Sequence, residues 1–226
     1  MTTLEDRPHT GESSVGGGVA GILGIAIPVV GVVVLPIWDF PGTGSTGDQI
    51  RDFVVRDRVA LQWMMAAYAV GITLWLVFGA AVWVRLRRAA APGSSLPTMF
   101  GAGTVAYTTL LLAGFTAFDL LVRRPPGPEG ATLYYDLTFG LLAMSGLPTA
   151  VALGAYAAAV YRDRQLPRPT AHLAVLAAAA HVLLLLSFVV PTGFFSLQGA
   201  VIAVIPAPLW AWILVTGIAL TARPAP

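Results

Sequence analysis

Three ionisable residues fall within long apolar runs of this 226-residue sequence: Asp119, Asp136 and His181. A charge at the centre of a bilayer costs about 2.5–3.5 kcal/mol on insertion scales, so such groups are retained where they pair, relay protons or hold a ligand. His181 lies inside the run 177–186 with no charged residue near it in the sequence. A neutral imidazole there can satisfy itself by one hydrogen bond to another helix, or it can carry a proton or bind a ligand. Tyr107, Ser145 and Thr149 are the polar side chains expected at similar depth, with Thr108 and Thr109 beside Tyr107.

Asp119 and Arg123 are four residues apart, the spacing that places a carboxylate and a guanidinium on one helix face. Asp136 stands near the start of the following run, where the positive end of a helix dipole favours a carboxylate. Together with Gln198, these residues make a second polar set. A membrane enzyme acting on lipid or quinone would draw on Asp119, Arg123, Asp136 and Gln198.

The wider inventory excludes most other chemistry. There is no cysteine, hence no disulfide scaffold, no Cys-ligated zinc and no iron–sulfur cluster. The three histidines are His9, His172 and His181. His9 sits in a polar tail, and the other two share one run. Two residues on one helix cannot clamp a haem iron from both sides. HExxH, GxSxG and Walker A sequences are missing, and Gly101-x-Gly103 is only a fragment of a nucleotide fingerprint in an apolar setting. The sequence therefore predicts no metal, no cofactor and no catalytic residue. The leading expectation is a non-enzymatic structural, accessory or sensing protein. The alternative is a small-solute or proton-coupled transporter with its site near His181.

These residues must be positioned by membrane-spanning elements. Hydrophobic residues make up 57% of the chain and charged ones 11%, against about 25% charged in a soluble domain. That composition leaves too little polar surface for a soluble globule and too little charge for a disordered chain. A span needs about 20 apolar residues to cross about 30 Å. Six runs qualify, at about 15–37, 59–84, 98–122, 133–161, 172–190 and 199–220. None alternates with period two, so the expected fold class is an all-α transmembrane bundle of six spans rather than a β-barrel. Residues 1–14 read as a polar tail, 15–222 as one transmembrane domain and 223–226 as a short end.

All 13 basic residues are Arg, consistent with a GC-rich bacterial genome, and the net charge of +2 is too small to argue for nucleic acid. With both termini in the cytoplasm, the inner segments hold eight Arg and the outer ones five, the bias of the positive-inside rule. The expected location is a bacterial plasma membrane, and the expected partners are the bilayer and a second membrane protein or a second copy of the chain.

Several local features complete the reading. Thr46 and Gln49 fit a capping box, so the second helix should start near Thr46 and project beyond the membrane, with Asp48, Asp52 and Arg56 at four-residue steps and Ile50, Phe53, Val54 and Leu61 on one face. Pro28, Pro148 and the pair Pro206 and Pro208 should kink three spans. Gly17, Gly21 and Gly24 suit close helix packing within one chain. The turn Ala-Ala-Val-Trp-Val-Arg-Leu-Arg (80–87) resembles Ala-Ala-Val-Tyr-Arg-Asp-Arg (158–164), and each leads to a Leu-Pro pair. This is the pattern of an Arg-rich inner turn with Pro starting the next helix, or of a two-helix duplication.

The order of parts, with a Gly-rich first span, an outer loop running into span two as Arg56-Asp57-Arg58-Val59-Ala60-Leu61, and Arg-rich inner turns, resembles the uncharacterised six-helix bacterial membrane families common in actinobacterial genomes, of the domain-of-unknown-function class. The resemblance lies in layout and composition. It implies a plasma-membrane protein and assigns no functional residue.

Overall fold

Where a run of twenty apolar residues meets no water, its backbone can bond only within itself, and the outcome is a helix. The computed structural model describes residues 10–35, 37 and 39–222; the expected tail at 1–9 with His9, Trp38, and the end at 223–226 lie outside them. The described chain is all-α, and six of its stretches are long and apolar enough to cross a membrane.

The elements are α1 (Thr10–Val34), α2 (Gly47–Arg56), α3 (Arg58–Ala89), α4 (Leu96–Arg123), α5 (Pro128–Met144), α6 (Gly146–Asp163), α7 (Arg168–Val182), a 3₁₀ segment (Leu183–Phe188), α8 (Val201–Val204) and α9 (Pro206–Ala222). α5 and α6 together form the fourth span, and α7 with the 3₁₀ segment forms the fifth. The spans close a ring in which α1 packs on α3, α3 on α4, α4 on α6, α6 on α7, α7 on α9, and α9 returns to α1. α5 leans on α4, and α2 lies mainly against α5.

The ring is filled by aromatic side chains. Trp212 lies 5.0 Å from Tyr156, 5.4 Å from Phe78 and 6.3 Å from Phe100, measured between ring centres, and each pair meets edge-on. Such tilted contacts place a ring's positive edge against its neighbour's negative face. Glycine sets the seam around α1. Gly17 meets Ala81, Gly21 meets Phe78, and Gly24 meets Trp75 and the Gly71 carbonyl. On the other side, a Cβ at Gly18 would stand 2.6 Å from the Gly217 carbonyl. The expected glycine packing is thus intramolecular, on α3 and α9. In lipid, this close approach replaces the hydrophobic drive that water would supply.

Two expectations about helix continuity and one about ion pairing are corrected. First, the helix at Thr46 does not run straight into span two. It ends at Arg56, and Asp57 (φ −103°, ψ 15°) separates it from α3. The reason is burial: Ile50, Phe53 and Val54 are sealed against Leu61, Phe118, Leu121 and Tyr135, which turns α2 onto α5. Secondly, Arg56 turns from Asp52 to Asp39 (2.6 Å) and Asp57 (2.8 Å). Thirdly, span five does not stay α-helical but tightens to 3₁₀ at Leu183, two residues after His181.

The other breaks follow the prolines. Span four is interrupted at Ser145, so that Pro148 occupies the first turn of α6, where its missing N–H is tolerated. Span six is interrupted at Ile205, and Pro206 opens α9. Pro28 remains inside a continuous α1 and packs its ring against Gly71 of α3. The capping box at Thr46 forms as expected, with Gln49 N–H donating to Thr46 Oγ1 (3.3 Å) and Thr46 N–H to Gln49 Oε1 (2.8 Å).

Candidate functional site

The polar groups of the bundle divide by where their hydrogen bonds go. His181 is buried at 3% exposure on the last turn of α7, with Nδ1 2.8 Å from the carbonyl oxygen of Ala177, one turn back on its own helix. A carbonyl can only accept, so Nδ1 is the donor in that bond. The side chains expected to face it behave alike. Ser145 donates to Leu142 O (2.7 Å), Thr149 to Ser145 O (2.7 Å) and Thr108 to Thr104 O (2.8 Å), each within its own helix. Tyr107 is buried in the main core, whereas Thr109 is exposed. Among the described residues, no side-chain hydrogen bond joins His181 to Tyr107, Ser145 or Thr149. The structure does bring Ser145 and His181 into one neighbourhood: a Cβ on Gly146 would lie 2.5 Å from the His181 carbonyl. The break in span four therefore packs directly on the α-to-3₁₀ change in span five.

At the end of the bundle that carries α2, polar side chains instead bond between elements. Gln198, in the segment before α8, donates through Nε2 to Asp136 Oδ1 on α5 (2.7 Å). Its Oε1 is 2.7 Å from the hydroxyl of Thr43, which also accepts from the Gln198 backbone N–H (3.1 Å) and has Ser196 Oγ at 2.9 Å. Tyr135 donates to the Pro41 carbonyl (2.7 Å). The loop leading to α2 is thus tied to α5 and to the chain before α8. A cleft of about 280 Å³ opens here, lined by Thr43, Ser45, Thr132, Tyr135, Asp136 and Gln198 among others. Gly44, with φ +90°, turns the loop that forms its rim.

Asp119 and Arg123 form a separate unit. Arg123 Nε donates to Asp119 Oδ2 at 2.6 Å, the expected i,i+4 ion pair, and Arg58 donates to the Arg123 carbonyl (2.6 Å), closing the end of α4. Neither residue lines the Asp136 cleft. The four residues grouped in the sequence thus fall into two pairs, Asp136 with Gln198 and Asp119 with Arg123. A second cleft, of about 350 Å³, lies at the α2–α3 elbow between Leu35, Arg56, Asp57 and Trp63. The Asp57 hydrogen bond, with Asp39 beside it, holds the Arg56 guanidinium above its ordinary pKa, so it stays fully charged. No group of three or more metal-ligating side chains occurs among the described residues.

Comparison with known proteins finds no matching family model, curated protein or solved structure.

At the opposite end, the two similar turns contact each other. Arg85 donates to the Gln165 carbonyl (3.3 Å), and Arg162 donates to Ser94 Oγ (3.0 Å) while pairing with Asp163 (2.9 Å). Tyr161 and His172 meet across the second turn at 2.7 Å. Some residues of these arrangements escape sequence reasoning because they are neutral. Thr43 and Ser196 sit in loops with no motif around them. Tyr156, Trp212 and Thr216 are uncharged side chains in apolar runs and Thr170 stands just before one, and the only signal for them is a hydroxyl or indole N–H that burial obliges to find a partner.

Proposed function

We propose that this chain is a non-enzymatic multi-pass protein of a bacterial inner membrane, both ends cytoplasmic, with an accessory or sensing role exercised at the Asp136–Gln198 cleft on the outer face. One observation supports this reading above the others. His181, Thr108, Ser145 and Thr149 bond to carbonyls one turn back along their own segments, whereas the polar groups at the α2 end are organised between α5, the α2 loop and the chain before α8. The cleft has one carboxylate, and its hydrogen-bond partner is the neutral amide of Gln198. A ligand with an ammonium group, as a small solute or a lipid headgroup, complements that charge.

The test is thermal unfolding of the purified chain in detergent with ethylammonium chloride, against sodium chloride at equal ionic strength. Ligand at ten times its Kd stabilises by about 1.4 kcal/mol, which raises Tm by about 3–6 °C in a chain of this size. Asp136→Asn should abolish the rise. Equal shifts in both proteins, or none in the wild type, refute the assignment. Phosphatidylethanolamine added to the micelles, in place of ethylammonium, tests the lipid as the source.

A specific observation also favours the transporter alternative. Broken spans that meet at one depth are how many transporters build a site, and Ser145–Gly146 meets the end of α7 at His181. In liposomes under a pH gradient, that reading expects proton flux lost in His181→Leu. The accessory reading expects the wild type to match empty liposomes.

A further inference from the structure

The described charges are shared unevenly between the two ends of the bundle. Residues 39–58 and 119–136, at the α2 end, hold five Arg and seven carboxylates. Residues 85–88 and 162–168, in the two turns at the opposite end, hold six Arg and one carboxylate, Asp163. Two of those six are used within the fold: Arg85 on the Gln165 carbonyl, and Arg162 on Ser94 and Asp163. Their bonds lock the turns to each other. The other four, Arg87, Arg88, Arg164 and Arg168, are exposed and enter no ion pair among the described residues.

These four guanidiniums are placed by the fold. Arg87 lies over the Trp83 ring at 5.2 Å. That contact uses the face of the cation and leaves the N–H groups at its edge open. Trp83 is itself wedged on α4, where a Cβ at Gly101 would stand 3.0 Å from its ring. Arg164 caps α6 in the left-handed conformation (φ 49°, ψ 27°), and Arg168 opens α7. All four thus stand at the ends of apolar spans, next to Trp83 and Tyr161, amphipathic rings of the kind found at headgroup level. A guanidinium fork matches phosphate oxygens bidentately, and clusters of four or more Arg beside a span attract anionic lipid. A zwitterionic headgroup brings its own ammonium to the same cations and is disfavoured. We infer that the two joined turns form a binding surface for anionic phospholipid headgroups, with Arg87 and Arg88 taking phosphate from one turn and Arg164 and Arg168 from the other. The surface requires no particular orientation of the chain and is independent of the Asp136 cleft, which lies at the other end.

The cysteine-free chain allows a local test. Ser95→Cys places a bimane label on the exposed first turn, and Val55→Cys places one on α2, where Val55 is 58% exposed. Each full-length variant is reconstituted in phosphatidylcholine vesicles doped with doxyl-labelled phosphatidylglycerol or doxyl-labelled phosphatidylcholine. At position 95, half-quenching should need about fivefold less of the anionic analogue, the effect of one Arg near an anionic surface. At position 55 the two analogues should quench alike. Arg87→Gln, Arg88→Gln, Arg164→Gln and Arg168→Gln together should bring position 95 to parity. If that chain does not fold, the double variants Arg87→Gln/Arg88→Gln and Arg164→Gln/Arg168→Gln decide, each leaving a preference of about twofold if the two turns contribute equally. Equal quenching by both lipids at position 95, the same preference at both ends, or a preference untouched by the Gln variants overturns the surface. Loss of the preference in sodium phosphate but not in sodium chloride of equal ionic strength makes it a site for soluble phosphate and overturns the lipid assignment.

Discussion

Replacing Gly146 by alanine should destabilise the protein, because its added Cβ would fall 2.5 Å from the backbone oxygen of His181 and 3.2 Å from Leu184 Cδ1. Leu184 can rotate, but the carbonyl cannot, since it belongs to the last turn of α7. The start of α6 must therefore back away by most of an ångström. Overpacking of this kind costs about 1–3 kcal/mol, offset by up to ~1 kcal/mol from the lower chain entropy of alanine. The net loss of roughly 1–2 kcal/mol corresponds to a fall in Tm of about 2–8 °C. Gly154, two turns further along the same helix, has nothing within 4 Å of its Cβ position. Gly154→Ala should keep the entropy gain and unfold at or slightly above the wild-type temperature. Thermal unfolding of both variants in one detergent isolates the steric effect from the propensity effect. If Gly146→Ala unfolds no lower than Gly154→Ala, then α6 does not seat on the His181 carbonyl, and the sealed junction between spans four and five is wrong.

Two further outcomes follow from the α2 end and from topology. Thr46→Ala removes the capping box and should cost about 1 kcal/mol, confined to α2; trypsin cleavage after Arg51 should quicken about fivefold, since each 1.4 kcal/mol is a factor of ten, and an unchanged rate would mean that α2 is held by its apolar face alone. The chain has no native cysteine, so Ser45→Cys and Ser94→Cys report the two sides of the membrane without background. An impermeant maleimide should reach Ser45→Cys in intact cells and Ser94→Cys only after permeabilisation, and the opposite pattern inverts the orientation.

The six spans were legible because length and hydropathy are strong signals when the solvent is lipid. The capping box was legible because Thr46 and Gln49 act on each other over three residues. The Asp119–Arg123 pair was legible for the same reason: four residues on a helix fix two side chains on one face. What escaped depends on tertiary position. Arg56 has Asp52 one turn before it, yet bonds to Asp39, because α2 folds over α5 and brings Arg56 to that loop. The 3₁₀ turn at 183–188 carries no Gly or Pro to announce it, and the Gly146 backbone that packs on the His181 carbonyl is distant in the sequence. The sequence could group Asp136 with Asp119 by depth but not tell that Gln198 would take one and Arg123 the other. Thr43 and Thr216 were invisible for a plainer reason. A single neutral hydroxyl makes no pattern until its neighbours are known.

The closure of the ring by α1 against α9 also dictates an order of assembly. During synthesis the first helix can seat on α3 as soon as residue 89 has emerged, through the Gly17, Gly21 and Gly24 seam. Its other flank, at Gly18, has no neighbour until α9 is made, since the Gly217 carbonyl belongs to the last helix. Trp212, which meets Phe78, Phe100 and Tyr156, arrives with it. Without α9 the other five spans would leave the ring open as a crescent, its aromatic lining incomplete. A chain released before residue 206 would be inserted but unfinished, with the concave side of that crescent presented to lipid and to quality-control proteases alike.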